Sequence, residues 1–181
     1  MIRLSRSTMC PFRIALLLVF AAAGFGGCSR SDTSAASPEI QFNTKIAFGQ
    51  SGNSDAYKVS GWNKTEEKFT WSEGTSARLR GQLPPAQEAV ALKVRAAALT
   101  KPPELPDQPV EVYVNDQKIA EWRVGETAVF AAALPNEITK AGGTITILFK
   151  TPKATSPEAL GLNADARILG ICLVDLEFSK G

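Results

Sequence analysis

Between Ile40 and Phe178 apolar residues return at every second position, in one short run after another. Side chains of an extended chain point alternately to its two faces, so each run describes a strand with one buried face. Ile40, Phe42, Thr44, Ile46 and Phe48 alternate in the first run. Ala77, Leu79, Gly81 and Leu83 alternate in the next, which Pro84-Pro85 stops. Val90, Leu92, Val94, Ala96 and Ala98 line a third, and Val110, Val112 and Val114 a fourth. Asn115-Asp116-Gln117 is a turn, and Ile119 to Val124 returns, so residues 110–124 read as a hairpin. Ala128 to Leu134 follows. The Ala141-Gly142-Gly143 turn then leads into Thr144 to Lys150, with Ile145, Ile147 and Phe149 on one face. Ile168 to Phe178 closes the chain, with Cys172, Val174, Leu176 and Phe178 expected inward and Asp175 and Glu177 outward. No helical period is sustained in this region. Lys101 to Pro109 is a proline-rich connection expected to stay out of a central strand. Lys153 to Ala166 reads as a long loop with one helical turn at Ser156-Pro157-Glu158, since Ser caps and Pro suits a first helical position. About eight or nine short strands between Pro- and Gly-rich turns predict an all-β chain, an antiparallel β-sandwich.

The first 27 residues are built differently. Arg3, Arg6 and Arg13 precede the apolar run Ile14 to Ala23, then Gly24-Phe25-Gly26-Gly27-Cys28. This is the layout of a secretory signal peptide, too short to span a bilayer, which needs about 20 apolar residues. Cys28, after small residues at the end of the apolar run, resembles the lipobox of bacterial lipoproteins, with Phe25 where Leu is usual. The resemblance implies cleavage before Cys28 and acylation of its thiol. It also implies that Ser29 directs the protein to the outer membrane where the host has one. Ser29 to Pro38 is small and polar and reads as a tether. The expected organisation is residues 1–27 as signal peptide, 28–38 as lipidated Cys28 and tether, and 39–181 as the folded domain. The expected location is the bacterial envelope, on the periplasmic face of the outer membrane in a Gram-negative host, with the lipid as the membrane contact.

Composition narrows the chemistry. The chain has no His, which excludes a Ser-His-Asp triad, a Cys-His pair and an H-E-x-x-H zinc site. The net charge of +2 owes three positive charges to the leader, so the remainder is nearly neutral and no nucleic-acid partner is expected. Cys10 falls in the leader and Cys28 is expected to be acylated, leaving Cys172, which sits in an apolar strand pattern and reads as a small buried hydrophobe. No metal site, cofactor or catalytic residue is expected.

Two segments are unlike ordinary strand or turn. Gly61 to Gly74 places Trp62, Trp71 and Phe69 beside Glu66, Glu67, Glu73 and Asn63. Sugar rings stack their C–H faces on indoles while carboxylates and amides take directional hydrogen bonds from hydroxyls, so Trp62, Glu66 and Trp71 are candidate ligand-binding residues. The alternative is that both tryptophans cap one end of the core. In Ser156 to Gly170, Asp165 and Arg167 share a side of an extended chain. They form either a loop-clamping ion pair or a grip on a polar ligand. A hydrolase using Glu66 and Asp165 as acid and base is a further reading.

The order Gly61-Trp62, Glu66, Trp71 and Gly74, then the Val110–Asn115 hairpin, then Ser156-Pro157, Leu160-Gly161, Asp165, Arg167 and Leu169-Gly170 resembles a known domain family. It is a β-sandwich domain found at the carboxyl end of bacterial membrane glycosyltransferases and phosphoglycerol transferases, and sometimes alone. The resemblance runs from about Ile46 to Phe178. It implies a jelly-roll-like, carbohydrate-binding-module-like fold near envelope glycans, without catalytic residues. The expected function is therefore a lipid-anchored, non-catalytic accessory protein that binds a glycan or associates with envelope polysaccharide synthesis or modification. The alternative is a scaffold lipoprotein that recruits a protein through a strand edge or apolar patch.

Overall fold

The period-two runs are built as strands. The computed structural model describes residues 37–181; the expected signal peptide with Cys10, the expected lipidation site Cys28 and most of the expected tether lie outside them. The strands are β1 (Lys45–Ala47), β2 (Lys58–Ser60), β3 (Thr70–Glu73), β4 (Ser76–Leu83), β5 (Val90–Ala98), β6 (Gln108–Val114), β7 (Gln117–Val124), β8 (Ala128–Ala133), β9 (Gly143–Lys150) and β10 (Leu169–Lys180). They form two five-stranded sheets. One runs β2-β4-β9-β6-β7; in the other, β1 and β3 share one edge of the long β10, and β5 and β8 follow on its other side. Every pairing of named strands is antiparallel. The fold is an antiparallel β-sandwich, with ten strands against the eight or nine expected.

The core lies between the sheets. Leu79 and Leu83 of β4, Val110, Val112 and Val114 of β6, and Ile145, Ile147 and Phe149 of β9 come from one sheet. Leu92, Val94 and Ala96 of β5 and Ile171, Leu173, Leu176 and Phe178 of β10 come from the other. Full burial of one such aliphatic or aromatic side chain contributes roughly 1.5–3 kcal/mol relative to exposure. The hairpin at residues 110–124 closes through Asn115 and Asp116, both with positive φ, and Asn115 Oδ1 accepts the Thr146 amide at 2.9 Å.

Four expectations change. The run Ile40 to Phe48 is not one strand: Asn43 turns the chain with φ 58°, and Lys45–Ala47 alone pairs with β10. Asn tolerates that backbone, and its side chain accepts the Lys180 amide at 3.0 Å. In β10 the pairing with β5 shifts between Leu173 and Asp175, and such an extra residue reverses the alternation. Leu173 and Leu176 therefore both face the core, Val174 does not, and Cys172 lies on the outer face of its sheet. Pro109 does enter a strand, opposite Arg123. β9 pairs with β6 only from Glu111 onward, so the proline's missing donor removes no bond to it. A short helix α1 (Asn136–Ala141) follows Pro135 and ends at Gly142, φ 61°. It is too brief for a helical period to register.

Candidate functional site

The segment between β2 and β3 folds back on itself. Glu73 donates its amide to the Gly61 carbonyl at 2.8 Å, Asn63 to Trp71 at 2.9 Å, and Glu66 to Phe69 at 2.9 Å. Trp62 and Ser72 are direct antiparallel partners. Residues 61–73 are thus a hairpin closed by a turn at Glu66–Phe69. Gly61 makes its closure possible: its φ is +75°, and a Cβ there would lie 2.0 Å from the Ser76 carbonyl oxygen.

The pairing decides where each tryptophan goes. Trp62 shares its side of the hairpin with Ser72, whose buried hydroxyl accepts the Ile171 amide at 3.0 Å. Trp71, one residue out of phase, points the other way. Trp62 is half-buried: its ring packs against Phe48 at 5.5 Å and Phe149 at 6.4 Å, and its indole N–H donates to the Arg78 carbonyl at 2.9 Å. Its remaining surface borders an open groove of about 560 Å³, shared with Gln50, Asp55, Lys58, Val59 and Asn63.

Lys58 organises the floor of that groove. Its ammonium donates to Asp55 Oδ1 at 2.7 Å, Thr65 Oγ1 at 2.7 Å and Thr70 Oγ1 at 3.0 Å, and lies 5.7 Å from the Phe48 ring centroid. The bond from Lys58, with its charge and the Thr65 hydroxyl, holds the Asp55 carboxyl below its ordinary range, so it is ionised at neutral pH.

The other face of the hairpin carries different chemistry. Trp71 meets Phe69 edge-on at 6.3 Å and stands opposite Cys172 of β10. Arg167 donates Nε and Nη2 to Asp165 at 3.0 and 2.7 Å, and its Nη1 lies 3.6 Å from Glu66 Oε1. The Arg167 bonds hold the Asp165 carboxyl low. Burial, and secondly the Glu66 charge, push the Cys172 thiol up to about 12, so it is an unreactive neutral thiol. Ser156 caps the turn of the neighbouring loop by accepting the Ala159 amide at 3.0 Å. Gly170 lets that loop return close to β3: a Cβ there would meet Thr151 Oγ1 at 2.3 Å and Ser72 Oγ at 2.9 Å.

Of the five candidate residues, Glu66, Asp165 and Arg167 converge in one ion cluster, and Trp71 lies on that side. Trp62 lies on the opposite side with a groove of its own. A general acid needs a raised pKa; Asp165 is shifted the other way, and both it and Glu66 face Arg167. Sequence reasoning missed Gln50, Asp55 and Lys58. Asp55 and Lys58 are three apart beside a short 3-10 turn, Ser54–Ala56, and that spacing alone resembles any surface ion pair.

No family model matches the sequence, and no curated protein is similar to it at a significant level. Among solved structures, the chain is similar to a family 6 carbohydrate-binding module of Clostridium stercorarium in complex with cellobiose. That match has 10% identity and a TM-score of 0.48, and covers 80% of this chain and 98% of that one. It is also similar to a β-1,3-glucan-binding family 6 module of Bacillus halodurans, with 11% identity, a TM-score of 0.48, and 78% and 98% coverage. A family 35 module of Paenibacillus barcinonensis matches with 9% identity, a TM-score of 0.38, and 81% and 96% coverage.

Proposed function

We propose that this chain is a lipid-anchored, non-catalytic accessory protein of the bacterial envelope whose β-sandwich binds a glycan in the groove beside Trp62. The observation that carries the reading is the groove itself. An indole is locked by the core, its N–H already bonded internally, and its free surface adjoins amide, carboxylate and hydroxyl groups. Its volume falls within the roughly 300–1,000 Å³ of small-ligand sites. The leader and Cys28 support the anchor and the envelope location. The resemblance of its motifs to the carboxyl-terminal domain of membrane glycosyltransferases supports work beside the machinery that makes or modifies an envelope polysaccharide.

Affinity electrophoresis of the full-length chain in detergent, through gels containing envelope polysaccharides, tests the reading. Val59 lines the groove, is 45% exposed and lies outside the core, so Val59→Arg fills the groove without disturbing the fold. Retardation of the wild type, lost in Val59→Arg and kept in Trp71→Ala, is expected. Acyl labelling lost in Cys28→Ser is the corresponding result for the anchor.

One observation favours a protein partner instead. Edge strand β8 carries no charge, proline or bulge and exposes Val129 at 65%, whereas the edge strand β7 carries Lys118, Glu121 and Arg123. A folded wild type that no polysaccharide retards, but that co-purifies with a protein released by Val129→Lys, transfers the assignment to that reading.

A further inference from the structure

The hydrogen bonds of the Lys58, Asp55, Thr65 and Thr70 side chains form a closed network beside the groove. An ammonium has three N–H donors and no acceptor. Lys58 has three acceptors in place: Asp55 Oδ1, Thr65 Oγ1 and Thr70 Oγ1. The hydroxyl of Thr70 donates onward to the Phe48 carbonyl at 2.7 Å, and that of Thr65 to Asp55 Oδ1 at 3.1 Å. Every polar hydrogen of this network is directed at protein. The Lys58 side chain is 12% exposed and that of Asp55 81%. A ligand entering the groove therefore meets a cation with no donor to spare and a carboxylate turned outward. Among the described residues, the second oxygen of Asp55 accepts no hydrogen bond.

We infer that the groove selects neutral, hydroxyl-rich sugar units over anionic ones, with Asp55 as the carboxylate that accepts ligand hydroxyls and Lys58 as the residue that positions it. This rests on the glycan-binding reading above. A carboxylate accepts from two adjacent hydroxyls, and such charge-assisted bonds are the strong ones. A uronate, phosphate or sulfate brought to the same place faces Asp55 with no free Lys58 donor to offset the repulsion. The other cation on the lining, Lys64, is exposed as Asp55 is, so the discrimination is expected at low salt and should fade as salt screens both charges. The Lys58–Asp55–Thr65 bonds form before any ligand arrives, so its binding does not bear the cost of ordering them.

The test is a glycan array carrying matched neutral and acidic glycans, probed with the full-length chain in detergent at low and high salt. Wild type should bind neutral glycans with little dependence on salt. Asp55→Asn should weaken that binding about tenfold, the scale of one charge-assisted hydrogen bond, and narrow the gap between neutral and acidic ligands. Thermal melting checks that the variant is folded. Thr65→Val removes one acceptor from Lys58 and leaves the outer oxygen of Asp55 in place; it should raise the acidic-to-neutral ratio by freeing one N–H. Stronger, salt-sensitive binding of acidic glycans by the wild type would overturn the inference while leaving glycan binding intact, as would neutral binding unchanged in folded Asp55→Asn. Binding to no glycan would remove the glycan reading itself, and the inference with it.

Discussion

Trp62 and Trp71 stand nine residues apart on the two arms of one hairpin, and their surroundings have little in common. Trp62 shares its side with a buried serine, packs on Phe48 and Phe149, and has its N–H bonded to a backbone carbonyl. Trp71 shares its side with Phe69, Cys172 and the Glu66–Arg167–Asp165 cluster on the outer surface of a sheet. In composition they look like one aromatic platform. Register separates them, because moving one position along a paired strand exchanges its two faces. The lesson is that an aromatic-rich segment does not define a surface; the cross-strand partners do. Here the anchored indole is the one with the groove, and the outward indole packs against Phe69 on the face whose charged residues, Glu66, Asp165 and Arg167, already pair with one another.

Variants can break or sharpen this contrast. The largest effect is expected for Trp62→Ala, which opens a hole between Phe48 and Phe149. Burial of this ring is partial, so we expect a loss of about 3 kcal/mol, the lower end for a large aromatic in a core. Trp71→Ala should cost roughly 1 kcal/mol, the scale of one edge-on aromatic pair. Urea unfolding monitored by circular dichroism measures both; equal losses would end the distinction. Gly61→Ala tests the hairpin that creates the contrast. With φ at +75° and a Cβ 2.0 Å from the Ser76 oxygen, the substitution should cost about 2–3 kcal/mol. A variant as stable as wild type would mean that this closure does not constrain the pair.

The smallest effect concerns the ion cluster. Asp165 has a lowered pKa in the folded state, from an ordinary value near 3.8. The unfolded chain therefore binds the proton more readily, and the pair's contribution is present above that ordinary value and lost as pH falls through the lowered one. Asp165→Asn should be slightly less stable than wild type at neutral pH. The urea midpoints of the two should converge only in acid below the ordinary aspartate range. A difference that survives there would assign Asp165 a role other than its charge.

Much of the architecture was legible because it depends on local alternation. The strands around Leu79, Leu92, Val112, Ile147 and Phe178 were all visible as period-two runs, and the Asn115-Asp116 turn as the joint between two of them. Asp165 and Arg167 lie two apart in extended chain, and that spacing suffices for them to meet. The first strand and the phase of β10 were not legible. A single turn at Asn43 divides the first, and one extra residue near Val174 reverses the second. Both depend on bonds to strands far away in sequence: Asn43 to Lys180, and Phe48 to the Val174 carbonyl. Asp55 and Lys58 were passed over for the same reason. The pair becomes a groove floor only once Thr70 and Phe48 are brought beneath it.

The sequence by itself determined an all-β chain, because side-chain alternation and turn-forming residues are properties of consecutive positions. It also determined that this chain carries no imidazole, and it supplied the lipobox-like pattern at Cys28 on which the proposed anchor rests. Tertiary structure decided the rest. It chose which tryptophan packs inward, brought Glu66 to Arg167 across some hundred residues, and turned every donor of Lys58 toward protein. Those outcomes are set by register and by which strands become neighbours, and both are fixed only when the two sheets close on a shared core.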